Sequence, residues 1–255
     1  MKNHLWEIWR QFGVTYELVD LAQKVNNQSP YCTGITPEAL FLGDICEKRE
    51  KADEGWLIQS FKFPGQFGTH VDFPGHYFAA GKMSDAYEVE EMVFPLCVID
   101  IRDKVKEDSC YAAKAADIIA YEEKYGTIPA GAFVALETGW HKYWPDREKF
   151  TGMDKEGRVN FPGWSLEALK YIYEVRQAAA NGHETFDTDA ARNAREDRDL
   201  PGERYVLAQG KMQIEMLANL HKVAPTGALL FAFWLKIEGA SGLPVRAVAL
   251  TPKEK

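Results

Sequence analysis

A short segment in the first third of the chain combines imidazole, carboxylate and amide side chains at close spacing. It reads Gln66-Phe67-Gly68-Thr69-His70-Val71-Asp72-Phe73-Pro74-Gly75-His76. In an extended strand, residues two apart face the same side, so His70, Asp72 and His76 are expected to converge, with Gln66 behind them. Imidazole and carboxylate together bind divalent cations such as zinc or manganese, and a further imidazole moves protons at neutral pH. The segment predicts a metal site with a histidine base; the alternative is a hairpin whose polar residues face water.

Such a site needs another anionic ligand, and Glu215 is the best candidate. It lies in residues 211–220, where apolar residues cover most of a helical circumference. A carboxylate embedded there is expected to be partly buried and to need a cation or hydrogen-bond donors. The alternative is a glutamate on a helix surface, paired with Lys211 at the i, i+4 spacing.

Two further segments carry polar or aromatic groups. Residues 182–189 contain His183 and several carboxylates. These groups could complete a metal shell or line a pocket, or the segment could be a solvated turn. We expect the turn. Thr138 and Trp140 begin an aromatic string that either forms a pocket wall for a planar substrate or packs at a rim.

The elements that must position these groups follow an α/β pattern. Residues 94–101 and 131–136 are nearly continuous apolar runs, typical of strands covered on both faces. Residues 112–125 between them have helical spacing, which gives strand, helix, strand. A helix is also expected at 164–172, with Ser165 as its N-cap.

The remaining segments complete the expected fold. Residues 187–204 are polar and predict an exposed loop, whereas 228–235 and 244–250 predict strands. We find no repeat and no convincing linker, so the expectation is one domain over residues 1–255.

Composition limits the classes of partner. A net charge of −8 disfavours nucleic-acid binding, which needs a concentrated basic face. The first residues have no continuous apolar stretch, so we expect no signal peptide, no membrane span and a cytoplasmic location. The four cysteines, at 32, 46, 97 and 110, are scattered, which argues against a zinc knuckle and against a disulfide framework.

Several motifs occur together in one order. They are Gly68-Thr69-His70-x-Asp72-x-Pro74-x-His76, Thr138-Gly139-Trp140, Phe161-Pro162-Gly163, Ile214-Glu215-x-Leu217-x-Asn219-Leu220 and Ser241-Gly242-x-Pro244-Val245-Arg246. In these motifs, from about Leu18 to Leu250, the chain resembles the cyclase family of metal-dependent hydrolases. That family includes bacterial kynurenine formamidase, isatin hydrolase and trans-dienelactone hydrolase.

The resemblance implies a swivelling β/β/α fold with a mixed central sheet, a divalent metal near the sheet, and a homo-oligomer, either dimer or tetramer. His70, Asp72 and Glu215 fall on metal-ligand positions of the family. His76 falls on the position of the acid/base histidine.

The chain departs from kynurenine formamidases at two of the matched positions. Gln66 and Glu203 stand where those enzymes have histidines, which disfavours a two-zinc centre. We therefore expect one ion, manganese or zinc, with Gln66 joining the three ligands carried over from the family.

The expected activity is hydrolysis of a C–N amide bond, either N-formyl or cyclic, by a metal-activated water whose proton passes to His76. Trp140, Thr138 and His183 are the expected contacts of a small-molecule substrate. The alternatives are a lactone hydrolase of the dienelactone type and a non-catalytic metal- or ligand-binding protein of the same fold.

Overall fold

The computed structural model describes residues 4–31, 41–44 and 59–253. The strands are β1 (Tyr16–Asp20), β2 (Phe41–Asp44), β3 (Gln59–Lys62), β4 (His70–Asp72), β5 (Val93–Asp100), β6 (Ala112–Ala113), β7 (Phe133–Glu137), β8 (Gly163–Trp164), β9 (Ala180–His183), β10 (Met212–Glu215), β11 (Ala228–Phe233), β12 (Gly242–Pro244) and β13 (Arg246–Pro252). The helices are α1 (Leu5–Thr15), α2 (Arg102–Glu107), α3 (Ala115–Tyr125), α4 (Arg147–Thr151), α5 (Leu166–Lys170), α6 (Ala191–Asp197) and α7 (Pro201–Ala208).

Two of the predicted apolar strands lie side by side in the sheet. β5 and β7 pair in parallel, with Leu96 opposite Phe133 and Asp100 opposite Glu137. Every residue of β7 is buried, as expected for a strand covered on both faces. The helix α3 lies between them in the chain, which confirms the predicted order of strand, helix and strand.

In the described part of the chain, nine strands form one mixed sheet in the order β1-β13-β11-β5-β7-β9-β10-β4-β12. β5, β7, β9 and β10 run parallel to one another, so their carboxyl ends reach the same edge of the sheet. β4 runs antiparallel between β10 and β12. This arrangement confirms the expected α/β class with a mixed central sheet.

Each face of the sheet carries its own hydrophobic core. Val98 and Ile214 belong to the core on one face. Val134 belongs to the core on the other face, together with Ile118 of α3. Because side chains alternate along a strand, Glu215 points to the helix-covered face, opposite to its neighbour Ile214.

The N-cap predicted near residue 164 is present. Ser165 Oγ accepts a hydrogen bond from the main-chain N–H of Ala168 at 3.1 Å, at the start of α5. The helix continues into a π-helical turn, Tyr171–Val175.

The helix expected at residues 211–220 is wrong, because the segment folds as the strand β10. Its four residues are all buried, with apolar and polar side chains on alternate faces. Met216 then takes a left-handed backbone conformation with φ of 54°, which ends the strand. A short run that is buried on every side has no periodicity that separates a strand from a helix. The expected burial of Glu215 does hold, since its side chain is 7% exposed.

The exposed loop expected at residues 187–204 is wrong in its secondary structure, although residues 192–199 are exposed or half-buried. The segment contains α6 and the start of α7, and it buries Asp189 and Glu203. The Asp189 carboxylate accepts hydrogen bonds from the main-chain N–H groups of Gly202 and Glu203, at 2.8 and 3.0 Å. Local hydrogen bonds of this kind allow a polar segment to be buried.

The strand expected at residues 244–250 is divided in two. β12 pairs with β4 near one end of the sheet, whereas β13 pairs with β1 and β11 near the other. The break falls at Val245, whose N–H donates to the Thr69 carbonyl at 2.9 Å. The strand expected at 228–235 is β11 and ends at Phe233.

Cys97 and Cys110 are buried free thiols; residues 32 and 46, the other two cysteines, lie outside the described part. Among the described helices, none has the length and apolar character to cross a membrane.

Candidate metal centre and surrounding groups

The segment that carries the first group of polar residues is extended only over β4. The continuous strand expected from Gln66 to His76 is therefore wrong in its extent. Gly68 takes a left-handed conformation with φ of 62°, and Pro74–His76 forms a 3-10 turn directly after the strand. Proline at the first position favours such a turn because its φ is already set. His76 is thus placed by the turn.

Strand pairing brings the expected ligands together. His70 lies opposite Glu215, and Asp72 lies opposite Gln213, in the antiparallel pairing of β4 with β10. Residues directly opposite one another share a face, so all four side chains point the same way. His70 Nε2 is 3.3 Å from Asp72 Oδ2 and 3.6 Å from Glu215 Oε2. The three groups are buried, and their nearest ligand atoms all lie within 4.8 Å of one another.

The orientation of His70 leaves one nitrogen directed at these carboxylates. Its Nδ1 donates to the Gly68 carbonyl at 2.9 Å, since a carbonyl oxygen only accepts. Nε2 is buried and has no hydrogen-bond partner in the described part of the protein. Burial lowers the pKa of His70, but the Asp72 and Glu215 carboxylates outweigh it and raise the pKa to about 9. One imidazole nitrogen and two carboxylate oxygens fit a divalent cation, which offsets their burial in place of a proton.

More carboxylates surround this group. Burial, followed by the Asp72 carboxylate, raises the pKa of Glu215 well above its usual range. The pKa of Glu203 is also raised well above its usual range, mainly by burial and next by the Glu215 carboxylate. Burial also raises the pKa of Asp187 to about 6. Negative charge at this density needs a bound cation or bound protons.

His76 lies at the more open side of the cluster. One third of its side chain is exposed. Its Nε2 lies 3.9 Å from Oε1 of Glu203, whose side chain is 5% exposed. The sequence did not identify Glu203 as a neighbour of His76, because the two meet only when α7 packs against the 3-10 turn.

Gln66 contacts the candidate ligands through Asp72. Its Nε2 donates to Asp72 Oδ1 at 3.2 Å, from the bend before β4. Gln213, which we did not identify from the sequence, makes the same kind of contact: its Nε2 donates to Glu215 Oε1 at 3.2 Å. Only alternation along a correctly predicted strand could have placed Gln213 here.

The solvated turn expected at residues 182–189 is wrong. His183 ends β9 and is completely buried, with Nε2 at 3.6 Å from Glu215 Oε1. Neither of its ring nitrogens has a hydrogen-bond partner among the described residues. Burial lowers its pKa to about 4, so the ring is neutral at pH 7.

Thr138 and Trp140 contact Glu184, the residue after His183. The Thr138 hydroxyl donates to Glu184 Oε2 at 2.9 Å, and the Trp140 main-chain N–H contacts the same oxygen at 3.2 Å. The Trp140 ring is buried, and its Nε1 donates to the Phe150 carbonyl at 2.7 Å. These contacts support the end of β9 beside His183.

Comparison with known proteins agrees with the motifs. The family model described as "Putative cyclase" matches residues 19–190. Isatin hydrolase of Roseibium aggregatum is 32% identical over 190 residues, which cover 73% of this chain and 72% of that protein. The chain belongs to the cyclase family.

Solved structures agree over nearly the whole chain. An isatin hydrolase bound to the product analogue thioisatinate matches with a TM-score of 0.87 and 26% identity, covering 98% of both chains. Isatin hydrolase A from Ralstonia solanacearum matches with a TM-score of 0.86 and 28% identity, covering 97% of this chain and 96% of that one. The protein is thus a hydrolase homologous to isatin hydrolase, as the motifs indicated.

Proposed function

We propose that the chain is a single metal-dependent hydrolase domain that cleaves a C–N amide bond, either N-formyl or cyclic. The observation that carries this proposal is the buried group of His70, Asp72 and Glu215, whose ligand atoms lie within 4.8 Å of one another. The similarity to isatin hydrolase supports an amide substrate.

His70 Nε2, Asp72 Oδ2 and Glu215 Oε2 would hold one divalent ion, manganese or zinc. The Gln66 amide oxygen is a further candidate ligand, because the amide nitrogen is already used by Asp72. When bound, such an ion polarises a carbonyl and lowers the pKa of water.

His76 is the proposed general base. An imidazole suits this role because its unperturbed pKa, about 6.5, lies close to neutral pH. In the proposed reaction, His76 takes the proton of the attacking water and returns it to the leaving nitrogen. Glu203 Oε1 lies 3.9 Å from His76 Nε2, so an ionised Glu203 carboxylate can stabilise the positive charge on His76 between these steps.

His183, Thr138 and Trp140 are proposed to shape the substrate site. His183 is neutral, and neither of its nitrogens has a hydrogen-bond partner among the described residues, so it can offer a hydrogen bond to a substrate. Thr138 and Trp140 are proposed to hold His183 in position, since both bind Glu184, the residue that follows it.

Metal analysis followed by substrate assays tests the proposal. The purified protein should contain about one equivalent of manganese or zinc and should hydrolyse isatin or N-formylkynurenine. Preferential turnover of a dienelactone would favour the lactonase instead. Bound metal without turnover on a broad ester and amide panel would favour a binding protein, and full activity after chelation would contradict the metal mechanism.

We also propose a homo-oligomer. Leu18, Leu250 and Leu229 lie directly opposite one another on β1, β13 and β11, on a face of the sheet where Leu18 is 55% and Leu229 40% exposed. Trp6 and Trp9 of α1 are more than half exposed. Apolar surface of this kind is typical of an interface, and a second copy is the proposed partner.

The proposed location is the cytoplasm. It is supported by Cys97 and Cys110, which are free thiols, as is usual where the compartment is reducing.

A further inference from the structure

Gln213 has a fixed orientation between two partners. Its side chain is completely buried, and its Nε2 donates to Glu215 Oε1 at 3.2 Å. Its Oε1 accepts a hydrogen bond from the Thr188 hydroxyl. When Glu215 is ionised to bind a cation, its carboxylate only accepts hydrogen bonds, so the amide nitrogen faces Glu215 and the Thr188 hydroxyl donates to the amide oxygen.

Asp72 has an equivalent contact on the other side of the group. Gln66 Nε2 donates to Asp72 Oδ1 at 3.2 Å, while Asp72 Oδ2 lies 3.3 Å from His70 Nε2. In Glu215, likewise, Oε1 is the oxygen bound by an amide, and Oε2 lies 3.6 Å from the same His70 nitrogen. In each carboxylate, one oxygen is thus occupied by a glutamine and the other faces the common centre.

We infer that Gln213, itself oriented by Thr188, is a positioning residue that holds Glu215 as a ligand through one oxygen, as Gln66 does for Asp72. This inference rests on the metal site proposed above. Ca²⁺ takes six to eight oxygen ligands and commonly binds carboxylates through both oxygens, whereas zinc is held by about four ligands and manganese by about six. The two amides therefore make the site selective for Mn²⁺ or Zn²⁺ against Ca²⁺.

Two isosteric changes and one conservative change test the inference. Thr188→Val keeps the shape of the side chain but removes the hydroxyl, and Gln213→Met removes the amide. Each should lower Mn²⁺ affinity, measured by calorimetry on the metal-free full chain, by ~10- to 100-fold, the usual effect of removing a group that orients a ligand. Each should also lower the ratio of Mn²⁺ to Ca²⁺ affinity. Thr188→Ser is the matched control and should keep both values.

The double variant gives a second readout. Because Thr188 acts through Gln213, combining Thr188→Val with Gln213→Met should lower Mn²⁺ affinity no further than Gln213→Met alone. Circular dichroism checks that each variant is folded; if the β10 variant Gln213→Met does not fold, Thr188→Val, which lies outside β10, tests the effect on Glu215 alone.

Three results would overturn the inference: unchanged Mn²⁺ affinity in folded variants, an unchanged Mn²⁺ to Ca²⁺ ratio, or an equal loss in Thr188→Ser and Thr188→Val. A wild-type protein that binds neither Mn²⁺ nor Zn²⁺ would instead contradict the proposed function itself, and the inference with it. The two failures are distinguished by the wild-type measurement alone.

Discussion

His70 and Glu215 face each other directly across β4 and β10, with Nε2 and Oε2 3.6 Å apart. They come from distant parts of the sequence, both are buried, and His70 Nε2 has no hydrogen-bond partner among the described residues. Neither side chain makes a site alone. The register of two short strands therefore determines whether the chain can bind a metal at this position.

Replacing Asp72 by alanine should abolish both metal binding and turnover. The change removes the oxygen 3.3 Å from His70 Nε2 and leaves the Gln66 amide without its acceptor. We expect metal affinity to fall more than ~100-fold, beyond the loss usual for an orienting group. Elemental analysis of the purified variant gives its metal content. Asp103→Asn, on an exposed surface, is the control. Retention of one equivalent of metal in Asp72→Ala would remove this residue from the ligand set.

Replacing His76 by alanine should separate binding from catalysis. His76 lies outside the group formed by His70, Asp72 and Glu215, so the variant should keep its metal content. Turnover should fall by ~10² to 10⁴, the usual contribution of a general base. Steady-state kinetics beside metal analysis measures both effects. Wild-type turnover in a metal-loaded His76→Ala protein would exclude His76 as the base.

Removing the metal should destabilise the fold. Without a cation, the buried carboxyl groups of Glu215 and Glu203 must retain protons or be repelled by each other and by the Asp72 carboxylate. A metal present at 100 times its Kd stabilises the folded state by about 2.7 kcal/mol, which raises Tm by about 5 to 10 °C for a domain of this size. Thermal melts with chelator and after adding Mn²⁺ measure the shift. An identical Tm in both conditions would be inconsistent with binding at this site.

Glu137 should make stability fall as pH rises. Burial, followed by the Asp100 carboxylate, raises its pKa from 4.5 to about 8, although Arg102 opposes this. A carboxyl group whose pKa is raised by folding stabilises the protein fully below pH 4.5, and this contribution is lost as pH rises towards 8. Glu137→Gln should therefore gain Tm relative to wild type between pH 5 and 8. Glu123→Gln, at an exposed position of α3, is the control and should follow wild type. A constant difference in Tm between Glu137→Gln and wild type across this range would contradict a raised pKa of Glu137.

Charges on the exposed sheet face should weaken self-association. Leu229→Lys and Phe233→Glu place charge on side chains that are 40% and 52% exposed, so the monomer should remain folded. Light scattering coupled to size exclusion should show a dimer or larger species for wild type and a smaller species for the variants. A monomeric wild type would contradict the proposed oligomer.

The sequence was sufficient for the family, the α/β class and the ligand candidates of β4, because those residues are close together in one segment. Glu215 was predicted correctly to be a buried carboxylate, but on a helix and not on the strand β10. Its neighbours are mostly apolar, and this pattern does not separate the two elements. Glu203 and Asp189 looked exposed because their segment is polar. Their burial depends on hydrogen bonds to main-chain groups of α7 and on packing against His76, and such contacts have no local pattern.

The position of β4 between β10 and β12 also sets when the site can exist in the cell. At ~5 to 20 residues per second, synthesis from Asp72 to Pro244 takes on the order of 10 to 30 s. During that time His70 and Asp72 have left the ribosome's active centre, while the strands that flank them are still being made. Metal capture at the proposed site would therefore follow translation of nearly the whole chain, so a finished fold, not a nascent one, would select the ion.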